Sequence, residues 1–185
     1  CSAPYSKAHG KIFTATPAKG AFDDWTRDGA ARKNADGFFT VAGVFSADGI
    51  DPASRLLAAA LPERLKGRVA DFGAGWGYLA AEILSHPSVE TLDLVEADNA
   101  ALDCARINVT DPRARFHWAD ATTWKSDKPL DAIIMNPPFH EGRKGVPELG
   151  QRFIRNAAAN LSPSGRLYMV ANRHLPYEAA LRETF

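Results

Sequence analysis

From residue 41 onward the chain repeats one pattern. A short apolar run is followed by a turn rich in glycine, proline, asparagine or aspartate, and then by a stretch with helical spacing. The runs at 68–72, 91–96, 114–117, 130–135 and 165–171 are too short for buried helices and read as strands. In the second of them Leu92 and Leu94 alternate with polar neighbours, whereas Ile133, Ile134 and Met135 make the fourth continuously apolar. Helices are expected from Asp51-Pro52, with an acidic N-cap and proline in the first turn. Others are expected at 78–84, from Asp98 or Asn99 to about 108, through Phe153, Ile154, Ala157, Ala158 and Leu161, and from Pro176. Leu56, Leu57 and Leu61 are expected on one face of the first helix. Strands separated by helices give an α/β fold, a parallel sheet covered by helices on both faces. Ligands of such open sheets bind beyond the carboxyl ends of the strands. The residues just after each strand therefore carry the functional information.

Residues 1–40 lack this pattern and read as a linker or the end of a preceding domain; Asp23 to Trp25 is the one place there for a short helix start. Residues 41–185 form the main domain. The 185 residues are 45% hydrophobic and 24% charged, an ordinary globular balance. The 22 basic and 22 acidic side chains cancel, which excludes binding to nucleic acid or membrane by bulk charge alone. No apolar run reaches the roughly 18 residues a membrane span requires. Cys1 and Cys104 stand outside any Cys-x-x-Cys pair and read as reduced thiols, so the chain is expected in the cytoplasm, away from membranes. The opening Cys1 in place of methionine points to a missing N-terminus.

The first strand runs into Asp71-Phe72-Gly73-Ala74-Gly75-Trp76-Gly77 and then a helix. Glycines allow a sharp turn and let a ligand approach the backbone, and the helix start offers free N–H groups. The same turn also serves as a tight strand-to-helix connection without a ligand. The second strand ends in Glu96-Ala97-Asp98, about 20 residues on, where a carboxylate can accept both hydroxyls of a ribose. An acid there is equally favourable as a helix cap, which suits Asp98; Glu96 fits the ribose better. The third strand ends at Trp118-Ala119-Asp120-Ala121, where an aspartate and a backbone N–H can meet an adenine edge.

The fourth strand ends in Asn136-Pro137-Pro138-Phe139-His140. Successive prolines stiffen the turn, remove two donors and hold the preceding residue extended. What remains is acceptors, the Asn136 amide oxygen and the Pro137 carbonyl, beside an aromatic ring. They can take both hydrogens of a planar amino group and turn its lone pair toward an electrophile. Phe139 can stack on the flat substrate, worth about 1–3 kcal/mol for a nucleobase.

These residues together resemble the class I S-adenosylmethionine-dependent methyltransferases that act on amino nitrogens. Val41-Ala42-Gly43-Val44-Phe45-Ser46, then Asp51 with Ser54-Arg55-Leu56-Leu57, Asn136-Pro137-Pro138-Phe139-His140 and Ala171-Asn172-Arg173-His174-Leu175-Pro176-Tyr177 look like the bacterial small-subunit ribosomal RNA guanine-N2 methyltransferases. The resemblance covers about residues 41–185. It implies a Rossmann-like fold, S-adenosylmethionine as donor and guanine N2 of ribosomal RNA, free or in the small ribosomal subunit, as acceptor. It also implies roles. Asp71, Gly73, Ala74, Gly75 and Gly77 would meet the methionine part of the donor, Glu96 and Ala97 the ribose, and Asp120 and Ala121 the adenine. Asn136, Pro137, Pro138 and Phe139 would hold the reacting base, with Asn136 also near the donor, and Phe45 and His140 would line the substrate side. The family's sheet has seven strands, closing in a hairpin that this sequence lacks, so the domain is expected to be incomplete at its C-terminal end.

Other chemistries find little support. The five histidines are scattered without metal-ligand spacing, so no metal is expected. No Gly-x-Ser-x-Gly or phosphate-loop motif occurs. Methyl transfer is an in-line displacement that depends on positioning. His140 is read as a substrate or loop contact rather than a base. Arg143, Lys144, Arg152 and Arg155 are either a solvated face or phosphate contacts. The alternatives from the same motif are an N5-glutamine protein methyltransferase and an adenine-N6 enzyme. A cofactor-free RNA-positioning module is the non-enzymatic one.

Overall fold

A computed structural model describes residues 2–3, 5–7, 10–16, 18–21, 23, 29–138, 140–141, 144–145, 147–173 and 175–185. They form two compact units, 1–30 and 31–185. The first holds a small antiparallel hairpin of β1 (Tyr5–Lys7) and β2 (Gly10–Ile12). The helix start expected near Asp23 to Trp25 lies mostly outside the described residues.

The second unit opens with the two-residue strands β3 (Arg32–Lys33) and β4 (Phe39–Thr40), paired antiparallel across a turn in which Asn34 Oδ1 accepts from the Asp36 and Phe38 amides. The main elements follow in order: α1 (Pro52–Ala59), β5 (Gly67–Phe72), α2 (Tyr78–Leu84), β6 (Val89–Glu96), α3 (Asn99–Asn108), β7 (Ala114–Trp118), β8 (Leu130–Met135), the two-residue strands β9 (His140–Glu141) and β10 (Lys144–Gly145), α4 (Pro147–Asn160), β11 (Leu161–Met169) and α5 (Tyr177–Thr184). Five strands form one parallel sheet in the order β11-β8-β5-β6-β7. The first of the five is thus central. The chain builds outward to β7 on one side, then returns to add β8 and β11 on the other. The crevice this reversal opens lies at the carboxyl ends of β5, β6 and β8.

Alternate residues of the central strands feed two cores, one on each face. Val69, Leu92, Leu94, Ala132 and Ile134 pack with Leu57 of α1, Leu79 and Ile83 of α2 and Ala101 and Ala105 of α3. Ala70, Phe72, Val95, Ile133 and Met135 pack with Phe153, Ile154 and Ala157 of α4 and Tyr177 and Ala180 of α5. Each of the large side chains among them that is fully closed off from water contributes about 1.5–3 kcal/mol.

The expected elements are present, with three local differences. Leu56 is 67% exposed whereas Leu57 is buried, because Ser54 and Leu57, three residues apart, set the inward face of α1. In β6 the neighbours of Leu92 and Leu94 are not solvent-facing, for Asp93 and Val95 are buried on the opposite face of the sheet. Asp93 is matched there by His117, whose Nε2 lies 2.8 Å from Asp93 Oδ1. Leu161 leaves the helix and opens β11 opposite Leu130. Asn160 closes α4 at that point, its Oδ1 accepting from Ser126 N at 2.8 Å and its Nδ2 donating to Asn156 O at 2.8 Å.

Candidate active site

The glycine-rich turn is built from left-handed backbone. Gly73, Gly75 and Gly77 have φ of +75°, +54° and +95°. Its start is tied to β6, since the Gly73 and Ala74 amides both donate to Val95 O, at 2.9 and 3.3 Å. Gly77 caps α2 and faces protein, where a Cβ would lie 2.9 Å from Val109 Cγ2. Gly75 faces open space, and a Cβ there would meet nothing within 4 Å. Asn108 holds the turn's far side by donating from Nδ2 to Trp76 O and to Phe39 O, each at 2.8 Å.

Two carboxylates stand beside this turn. Glu96, half-buried at the end of β6, accepts from Gly75 N through Oε2 and from Asp98 N through Oε1, both at 2.8 Å. Asp98 itself caps α3, accepting from the Ala100 and Ala101 amides. Asp71 on β5 is fully buried, and neither of its oxygens has a hydrogen-bond partner. Burial pushes its carboxyl up to about 8, and the nearby Glu96 charge adds to the rise.

At the end of β8, Asn136 donates from Nδ2 to Asp51 Oδ2 at 3.0 Å and to Ser54 Oγ at 2.9 Å. The same Asp51 oxygen caps α1 by accepting from Ser54 N at 2.8 Å. Asn136 Oδ1 accepts nothing among the described residues. Phe45 is 62% exposed. Its carbonyl accepts from Trp76 Nε1 at 2.9 Å, and the next residue, Ser46, is held at φ +51° with its hydroxyl donating to Gly49 O at 2.8 Å. A strained turn anchored on Trp76 thus presents the ring to solvent.

Two adjoining cavities occupy the crevice. The larger, about 380 Å³, is bordered by Phe45, Gly73, Gly75, Glu96, Ala97, Asp120, Ala121, Asn136, Pro137 and Pro138 together with Val95, Leu149, Arg152 and Phe153. The smaller, about 50 Å³, lies between the glycine turn and the start of α1 and includes Ala74, Asp51 and Ser54. Phe45, Gly73, Gly75 and Asn136 border both. Asp71 and Gly77 border neither: one lies beneath the turn and the other caps α2. Phe139 lies outside the described residues, as does the side chain of His140. Asp120 is exposed, its Oδ1 accepting from Thr122 N at 2.8 Å. Among the described residues no three His, Cys, Asp or Glu side chains gather as a metal site, and no helix is long and apolar enough to cross a membrane.

Sequence reasoning missed several wall residues. Phe153 was legible only as part of the apolar stripe of a helix, Arg152 only as one member of a basic run, and Leu149 carried no signal. Asp51 and Ser54 satisfy a helix cap so completely that nothing local signals a second partner on β8, 82 and 85 residues away.

Ribosomal RNA small subunit methyltransferase C of Klebsiella pneumoniae is 39% identical over 147 residues, 79% of this chain and 43% of the relative. The protein of the same description from Salmonella choleraesuis is 37% identical over 158 residues, 84% of this chain and 46% of the relative. The solved T. thermophilus 16S rRNA N2 G1207 methyltransferase, in complex with AdoMet and guanosine, matches with a TM-score of 0.67 and 32% identity over 84% of this chain and 45% of that one. The chain spans about half the length of the curated relatives it matches. A family model described as methyltransferase small domain matches residues 36–185, from the turn between β3 and β4 through α5, and the chain belongs to that family.

Proposed function

We propose that this chain transfers a methyl group from S-adenosylmethionine to the exocyclic N2 amino group of a guanine in small-subunit ribosomal RNA. The observation that carries the reading is the Asn136 amide. Its nitrogen is held by Asp51 and Ser54, its oxygen has no donor among the described residues, and the residue borders both cavities.

The residues present fit the donor. Gly75 leaves an open cradle, Asp71 is an orphaned buried acid beneath it, and Glu96 and Asp120 put carboxylates at the larger cavity. Asp71, Gly73, Ala74, Gly75 and Gly77 would hold or shape the methionine end, Glu96 and Ala97 the ribose, and Asp120 and Ala121 the adenine. Bound there, S-adenosylmethionine supplies a methyl group on a sulfonium. Asn136 Oδ1 and the Pro137 carbonyl accept the two amino hydrogens of the guanine. That draws the nitrogen lone pair out of the ring and aims it along the displacement axis. Phe45 gives the base a stacking surface, and Phe139 takes the same role on the strength of the sequence. The proton released from the methylated nitrogen passes to solvent. A paired guanine hides this nitrogen, so the substrate base is unpaired or flipped out.

The test is transfer from labelled donor to naked ribosomal RNA, assembled small subunits and protein in parallel, with the product identified. N2-methylguanine in RNA is expected, and Asn136→Ala is expected to lower transfer by roughly a hundredfold with donor affinity largely kept. Label on protein glutamine or on adenine N6 overturns the substrate assignment. Equal loss of donor binding and rate overturns the role of Asn136.

A further inference from the structure

We infer that Asp51 and Ser54 are positioning residues that lock the Asn136 side-chain amide in one of its two orientations and thereby make the site selective for an amino group. The inference rests on the proposed role of Asn136 in gripping the acceptor. A primary amide has two N–H donors on one side and a carbonyl acceptor on the other, and rotation about the Cβ–Cγ bond exchanges them. For a free asparagine the two orientations are close in energy. Here the amide nitrogen donates to two acceptors, a carboxylate at 3.0 Å and a hydroxyl at 2.9 Å.

The reversed orientation would set the Asn136 oxygen against the Asp51 carboxylate, acceptor against acceptor, and leave a half-buried carboxylate oxygen short of a donor. It would also turn N–H toward the cavity, where it would grip a keto oxygen in place of an amino group. The clamp is itself rigid. Asp51 Oδ2 is held by the Ser54 amide at 2.8 Å, and Ser54 is 8% exposed on the inward face of α1. The start of one short helix thus decides whether the acceptor turn, 85 residues later, reads donors or acceptors.

The experiment uses the full chain with ¹⁵N-labelled asparagine. The Asn136 side-chain amide signals are assigned by their loss in Asn136→Ala, and their hydrogen exchange is compared in wild type, Asp51→Ser and Ser54→Ala. Asp51→Ser keeps a cap acceptor on a side chain too short to hold Asn136 as well, and Ser54→Ala keeps a helix former, so both chains fold. Both Asn136 amide hydrogens are expected to be protected in wild type, and one to exchange freely in each variant. In the methyl-transfer assay kcat falls by roughly tenfold to a hundredfold in each variant, while the melting temperature and the S-adenosylmethionine Kd hold. Ser54→Thr, which restores the hydroxyl, recovers most of kcat. Unprotected Asn136 hydrogens in wild type overturn the inference. So does an unchanged kcat in both variants, or a loss in Ser54→Ala matched by an equal loss of donor affinity. A wild type that methylates something other than guanine overturns the substrate assignment alone, and the exchange data still judge the clamp.

Discussion

Glu96 reaches from the end of β6 to accept the backbone N–H of Gly75 at 2.8 Å, joining the second strand's terminal carboxylate to the glycine turn of the first. Its other oxygen holds the Asp98 amide. A carboxylate has about four acceptor sites, so two remain for ribose hydroxyls. Glu96→Ala frees two backbone amides and removes those sites. Donor affinity is expected to fall at least tenfold by calorimetric titration, and stability by about 1–3 kcal/mol in denaturant unfolding. Glu96→Gln, which keeps one acceptor oxygen, should lose less of both. Unchanged affinity in Glu96→Ala would remove this residue from the cofactor site.

Gly75 and Gly77 both need left-handed backbone but face different surroundings. Gly77→Ala drives a Cβ toward Val109 and is expected to cost about 2 kcal/mol of stability. Gly75→Ala carries strain of about 1 kcal/mol and puts its methyl into the open cradle. Its fold should persist while donor binding weakens. Thermal unfolding and donor titration of the two variants should therefore rank them in opposite orders.

Asp71 makes stability depend on pH. The folded chain holds this proton up to about pH 8, whereas the unfolded chain releases it near 3.8. Stability from this group is therefore full at the acid end and is lost as pH rises through that window. Asp71→Asn removes the titration. The melting temperature of wild type relative to the variant is expected to drop between about pH 5 and about pH 8. A flat difference would show that Asp71 is ionised in the folded chain.

Gly150 lets α4 close on α5. A Cβ at this position would run into the Tyr177 ring at Cζ and Cε1 and into its hydroxyl, which is buried without a hydrogen-bond partner. Gly150→Ala is expected to destabilise by about 1–3 kcal/mol through overpacking. Tyr177→Phe removes the orphan hydroxyl and should leave stability equal or higher. The ring carbons Cζ and Cε1 block the same space, so Tyr177→Phe should leave most of the Gly150→Ala loss in the double variant, read by denaturant unfolding.

Period and punctuation were enough to read the α/β order and the parallel sheet, because strand and helix spacings are local properties of the chain. The same holds for Asp51 and Asp98 as caps and for the glycine turn, where only glycine adopts the backbone cheaply. Strand ends then marked Glu96, Asp120 and Asn136 as neighbours of one crevice. Leu56 and Leu161 were misread because short apolar runs do not say which face a neighbouring element will cover.

What the sequence determined by itself is the layout: which residues lie at strand ends, and which chemistry each can offer. Only the tertiary structure decided how those residues are oriented. Asp71 is a buried orphan rather than a solvated acid, and Glu96 is already engaged with the glycine turn. The Asn136 amide is turned by a helix start that precedes the sheet. Composition and spacing describe what a side chain can do, whereas desolvation and the choice of hydrogen-bond partner depend on neighbours brought together from distant parts of the chain.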